Sequence, residues 1–303
     1  MQTFRRSLLA ALALAALLPL PAGAGETRPA APAAPQAASV PQNLSPTEAF
    51  KLISDEAAKG VANAMLTLGL MYERGVGTPR NFIEAFKWYR KAAEAGLAEG
   101  YYNTGVCYEI GMGNSGSPED AFANFEKSAE LKLPQGLYKL ASLYFLGFGV
   151  TKNESWGVEL LKRAAAADHM VAANDLGVIY FAGDFGQAKD IGQAFAMFNR
   201  SAQLGNAEAM KNLAVFYRDG LGDKAVDPAQ EFKWYSLASR AGYPPAALSQ
   251  VIEELRTKLG PERAKAVDAE VEAWINDFKA RQQPPAQPQA QTQPQTKPQI
   301  GGK

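Results

Sequence analysis

The residues of this chain whose types and spacing could do chemistry are a lone His169, a lone Cys107, repeated Gly-x-Gly pairs and three neighbouring aspartates. A histidine can serve as a general base or metal ligand, but it needs fellow ligands or a nucleophile, and no second histidine is available. Gly75/Gly77, Gly111/Gly113, Gly147/Gly149 and Gly220/Gly222 could cradle a phosphate. That chemistry requires a preceding strand and a completed Gly-x-Gly-x-x-Gly or a following Lys-Ser/Thr, and neither is present. Asp219, Asp223 and Asp227 could attract calcium, yet their spacing fits no known calcium loop, and Asp227 is positioned to cap a helix. The expectation is no catalytic residue, no metal and no cofactor.

The elements that position these residues form a repeat. A tyrosine column runs Tyr72, Tyr108, Tyr144, Tyr180 and Tyr217, and a glycine column runs Gly75, Gly111, Gly147, Gly183 and Gly220, both in steps of 36, 36, 36 and 37. A second block, Glu84-Ala85-Phe86-Lys87-Trp88-Tyr89, returns as Gln230-Glu231-Phe232-Lys233-Trp234-Tyr235. An isolated early copy, Glu48-Ala49-Phe50, opens the array with half a repeat. Ser45, Asn81, Ser117, Asn153, Asp190 and Asp227 precede these blocks and can accept hydrogen bonds from the free amides of a first helical turn. Gly60, Gly96, Gly205 and Gly242 end them with the residue suited to a left-handed cap. Lys132 and Asp168 stand in that column in the other copies and are expected to strain or reshape their turns.

Each repeat therefore reads as helix, Gly-rich turn, helix. On the first helix, Ala64, Met65, Leu68, Gly69 and Tyr72 share one face, and the columns of Ala64 and Gly69 stay small so that two helices can approach closely. Cys107 shares a column with Met71, Leu143, Ile179 and Phe216 and reads as core. His169 shares one with Val61, Leu97, Leu133, Asn206 and Tyr243 and reads as surface filler. The half repeat spans 45–60, and the full repeats span 61–96, 97–132, 133–168, 169–205 and 206–242. Capping helices follow over 243–281, with Val267, Val271, Trp274, Ile275 and Phe278 forming an apolar stripe that faces the last repeat.

The ends read differently. Arg5-Arg6, the apolar Ser7–Leu20 stretch and Ala22-Gly23-Ala24 predict a signal peptide over 1–24, cleaved after Ala24, and hence export, in the first place to a bacterial periplasm. No second apolar stretch is long enough to span a bilayer, so no membrane insertion of the mature chain is expected. An Ala/Pro-rich linker over 25–44 and a Pro/Gln-rich tail over 282–303 cannot bury enough apolar surface to fold. With 31 basic and 31 acidic residues the formal charge is zero, which speaks against a nucleic-acid partner.

The register, carried by Ala64, Leu68-Gly69, Tyr72, Gly75-Val76-Gly77, Ala85, Trp88-Tyr89, Ala92-Ala93 and Gly96, resembles that of the Sel1-like repeat family, relatives of the tetratricopeptide repeat. The resemblance covers residues 45–242. It implies an all-α, right-handed αα-superhelix that binds partner proteins. In the related tetratricopeptide repeats the stripe at positions 63, 66, 70 and 73 of the first helix lines the concave groove. Carried onto this chain, it assigns a partner-binding face to Leu66, Leu70, Glu73, Glu99, Tyr102, Val106, Glu109, Tyr138, Phe145, Asn174 and Phe181. Curvature burying some of these aromatics between adjacent first helices is the competing reading. For function, an exported adaptor or regulator of an envelope or receptor protein leads. Cysteine-rich members described as β-lactamase-like or penicillin-binding make an enzyme the alternative, but their paired cysteines and a Ser-x-x-Lys motif are missing here. A scaffold for envelope assembly or motility is the third reading.

Overall fold

The computed structural model describes residues 44–282, so the expected signal peptide and almost all of the linker and tail lie outside the described residues. Those residues form thirteen α-helices and no strand. The array opens with α1 (Pro46–Ala58) and continues as α2 (Ala62–Arg74), α3 (Phe82–Glu94), α4 (Ala98–Ile110), α5 (Pro118–Glu130), α6 (Pro134–Leu146) and α7 (Glu154–Ala166). It proceeds through α8 (Met170–Ala182), α9 (Ile191–Gln203), α10 (Ala207–Asp219) and α11 (Pro228–Arg240) and closes with α12 (Pro245–Leu259) and α13 (Pro261–Gln282). Through α11 the even-numbered helices are the first helices of the repeats and the odd-numbered ones the second. Each packs on its sequence neighbours, which gives an all-α repeat superhelix.

The caps explain the strict helix lengths. Asn81, Ser117, Asn153 and Asp190 each accept a side-chain hydrogen bond from the backbone amide three residues on, and Asp227 accepts from both Ala229 and Gln230. The backbone amide of the same cap residue donates to the carbonyl of the preceding tyrosine column, as in Asn81 to Tyr72 and Asn153 to Tyr144, both at 2.9 Å. That bond closes the loop, which spans nine residues from tyrosine to cap in the first three repeats and ten in the last two. The tyrosine rings, in turn, meet the preceding second helix edge-on: Phe50–Tyr72 at 5.3 Å, Phe86–Tyr108 at 5.2 Å and Phe122–Tyr144 at 5.6 Å between centroids.

Small residues set the spacing within a repeat. A Cβ on Gly69 would lie 2.5 Å from the Tyr89 ring, and one on Gly177 would lie 2.8 Å from Phe198. Where the column holds Ala141, the facing second-helix residue is the smaller Leu161, which is fully buried. At Lys132 and Asp168 the expected choice between a strained and a reshaped turn falls on strain, because their turns are not reshaped. They adopt φ of 62° and 59°, and the next amide still reaches back to Ser128 or Ala164, as in the glycine-capped copies. Left-handed backbone costs a non-glycine residue about 1–2 kcal/mol, which the stacking overrides. At Asp168, Arg200 clamps the turn through the Asp168 carboxylate at 2.7 Å and the Ala166 carbonyl at 2.9 Å.

The C-terminal helix packs its valines on the last repeat, while its far end reaches back to the fourth. Val267 and Val271 are 1 % exposed against α11 and α12, while Glu270 and Glu272 pair with Lys233 and Arg240. Trp274 and Phe278 stack at 5.2 Å, and Phe278 lies over Gly205, at the far end of α9.

Candidate functional site

The stripe along the first helices divides into two halves. In the first two repeats, Leu66, Leu70, Tyr102 and Val106 are half-buried at the edges of the core clusters around Tyr89 and Phe125. Tyr102 leans edge-on to Phe125 at 5.8 Å. Glu99 is half-buried, and Glu73 accepts a hydrogen bond from the Tyr89 hydroxyl. These six residues form a ledge of apolar side chains with carboxylates at its borders.

Between Glu109 and Asn174 the stripe is closed. The Glu109 side chain is only 2 % exposed and accepts from Lys139 of the next first helix at 2.8 Å. Burial pushes the Glu109 carboxyl up despite that cation, since water is excluded from both partners. Tyr138 donates its hydroxyl to Asp175 Oδ2 at 3.1 Å and stacks on His169 at 4.6 Å. Asn174 is buried, donates to Asp175 Oδ1 at 3.4 Å and accepts from Asn212 at 3.1 Å. Phe145 is 1 % exposed and packs on Phe185 at 4.9 Å. Phe181 is half-buried, 5.9 Å from Phe216, with Lys189 over its ring.

The placement of Phe145, Asn174 and Glu109 on a partner-facing surface is therefore corrected: all three lie in the interior, bonded or packed between repeats. Successive first helices approach one another across the stripe, and a position opposite a helix's packed face then meets the next repeat. The column one residue further on carries these contacts. It reads Thr67, Asn103, Lys139, Asp175 and Asn212, and its last three members reach back to Glu109, Tyr138 and Asn174. Sequence reasoning missed it, although five polar residues in one column of an otherwise apolar helix were a usable signal.

His169 is likewise more than surface filler. Its Nδ1 accepts the Ala172 amide at 3.1 Å and caps α8, and burial holds the imidazole down to about 4, so the ring is neutral at pH 7. Asp175 is pushed up to about 6 by burial, which outweighs the stabilising bonds from Tyr138 and Asn174. Cys107 has no exposed surface, and burial raises its thiol to about 12, with the Glu73 carboxylate adding to the effect. A neutral capping imidazole and a protonated buried thiol are poor groups for attacking a bound substrate. Asp219 and Asp223 pair with Arg218 and Lys224, Asp227 caps α11, and no group of His, Cys, Asp and Glu among the described residues could hold a metal ion. No helix of the described residues is long and apolar enough to cross a membrane.

Comparison with known proteins fits this geometry. The Sel1 repeat matches residues 62–97, 98–133, 134–169, 171–206 and 207–243. A Sel1 repeat protein from Oxalobacter formigenes is 29 % identical, with a TM-score of 0.64 over 75 % of this chain and 94 % of that one. A protective antigen of uropathogenic Escherichia coli displaying an SLR fold is 26 % identical, with a TM-score of 0.58 over 78 % of this chain and 49 % of that one. This chain thus spans about half the length of the antigen. No curated protein sequence matches it. With five consecutive matches in the register that the caps and tyrosines enforce, the chain belongs to the Sel1 repeat family.

Proposed function

We propose that this protein is an exported adaptor or regulator that holds a partner protein, an envelope component or the sensory part of a receptor, against the inner face of its first helices. The observation supporting this reading is the ledge formed by Leu66, Leu70, Tyr102 and Val106, bordered by Glu73 and Glu99. A half-exposed aromatic such as Tyr102 is the kind of residue that anchors a partner, because it buries much area at low entropic cost, and the aliphatic side chains around it exclude water. The closed half of the stripe supports the shape that presents this ledge. The charge border favours a segment with apolar anchors and basic flanks.

The test is crosslinking and recovery of partners from the native exported compartment, with the wild-type chain beside a Leu70→Ser, Tyr102→Ala, Glu99→Lys variant. These side chains lie at the edge of the core, so the variant is expected to keep its helix content and thermal transition while losing the partner. Equal recovery by a folded variant would remove the ledge from consideration.

A further inference from the structure

A half-buried imidazole and a buried carboxylate stand on either side of one phenol. The Tyr138 ring lies flat on the His169 imidazole, with an interplanar angle of 20°, while its hydroxyl donates to Asp175. From Asp175 the chain of bonds continues through Asn174 to Asn212, so α6, α8 and α10 are tied through one carboxylate. The charged groups on the surrounding helices do not neutralise it. Lys139 of α6 is held by Glu109 of α4, and Lys211 of α10 is held by Glu208, whose carboxylate opposes ionisation of Asp175. Arg200 of α9 is held by Asp168, and Tyr102 of α4 faces Tyr138.

Acid acts on the two groups in opposite directions. The cap at α8 needs a bare Nδ1 on His169, so protonation of the imidazole breaks it. Protonation of Asp175 instead removes a buried charge that has only neutral hydrogen-bond donors around it. We propose that Tyr138 couples His169 and Asp175 into a pH-compensating clasp, which keeps the tie between the third and fourth repeats at constant strength across acidic pH, although either group alone would make it a switch.

The signs follow from linkage. Asp175 has its carboxyl raised from an ordinary 3.8 to about 6 in the closed junction, so its contribution to closure is present below 3.8 and lost as pH rises through 6. His169 is lowered from 6.5 to about 4, so its contribution is present above 6.5 and lost as pH falls through 4. Between pH 4 and 7 each would change the opening equilibrium by roughly fifty- to a hundredfold, in opposite senses. The fifth repeat supplies the neutral replacements. Asn206 stands in the His169 column and caps α10 at 2.8 Å, and Asn212 stands in the Asp175 column.

The experiment is hydrogen–deuterium exchange of the α8 amides in the full chain at pH 4, 5, 6 and 7, with each rate divided by the intrinsic rate at that pH. Wild type is expected to change its opening constant much less than either single variant does. His169→Asn should open about fiftyfold more readily at pH 7 than at pH 4, and Asp175→Asn about a hundredfold less readily. The double variant should be flat. A steep wild type, or a flat profile in either single variant, would overturn the clasp. Failure of His169→Asn to fold would overturn it too, because Asn206 shows that asparagine caps this position in the same array.

Discussion

Replacing Gly149 with alanine should damage the array far more than the same change at Gly96, although both glycines lie in left-handed backbone. Their φ values are 68° and 84°, so each alanine incurs the same conformational cost of about 1–2 kcal/mol. The surroundings differ. A Cβ on Gly96 meets nothing within 4 Å, whereas one on Gly149 would lie 2.5 Å from the Pro118 carbonyl carbon and 3.1 Å from the Glu119 amide nitrogen. The second glycine of each Gly-x-Gly pair there rests on the N-terminus of the preceding second helix, as Gly77 does on Pro46 and Gly113 on Phe82. Lifting that loop from rigid backbone should add about 1–3 kcal/mol, the range for overpacking. The expected totals are about 1 kcal/mol for Gly96→Ala and about 3 kcal/mol for Gly149→Ala. In a domain of this size those losses lower the melting temperature by roughly 2–4 °C and 6–12 °C. Because repeat arrays unfold by units, the reading is the difference between two variants melted side by side under circular dichroism. Equal losses would refute the claim that Gly-x-Gly is an inter-repeat contact and leave it as a mere turn. The fourth repeat shows what release from this contact requires. Phe185 occupies the same column with φ of 53°, its ring buried on Phe145.

Other expectations are independent of this one. Lys139→Met leaves the Glu109 carboxylate buried without its cation, which should cost about 3–5 kcal/mol at pH 7. Because burial already raises that carboxyl, the loss should shrink as pH falls and Glu109 takes up a proton, which urea midpoints at pH 7 and 4.5 would show. Cys107, with its thiol pushed up to about 12, should ignore a disulfide reagent in the native chain and react fully in denaturant; fast native labelling would contradict its burial. Lys132→Gly removes a left-handed lysine and should raise stability by about 1 kcal/mol in thermal melts. Asp168→Gly relieves the same strain but also releases Arg200, so its melting temperature should barely move.

What the sequence made legible was whatever repeats within a unit. Tyrosine spacing, cap residues and small columns each answer a constraint that recurs in the same form within every repeat or between each repeat and the one before, so five copies restate it and a register emerges. The ring of Tyr89 over Gly69 is the structural form of one such column. Turn conformation was less legible at Lys132 and Asp168. There the stacking of flanking helices holds a left-handed residue that local preference disfavours, and only the fold reveals which of the two wins.

The inner face was the least legible part, for a geometric reason. A helical wheel places residues relative to the axis of one helix, whereas the closing of the stripe depends on which side chains of the next first helix reach it. Lys139 meets Glu109 and Tyr138 meets Asp175, contacts separated by 30 and 37 residues. Column identity carries the missing information. Lys139, Asp175 and Asn212 of the Thr67 column each tie their repeat to a stripe residue of the repeat before, Glu109, Tyr138 and Asn174. Where it holds Thr67 and Asn103, the side groups bond instead to the carbonyls of Asn63 and Glu99 on their own helices. The ties from Lys139, Asp175 and Asn212 thus mark the part of the face that joins repeats, and the ledge proposed above to meet a partner lies before them, in the first two repeats.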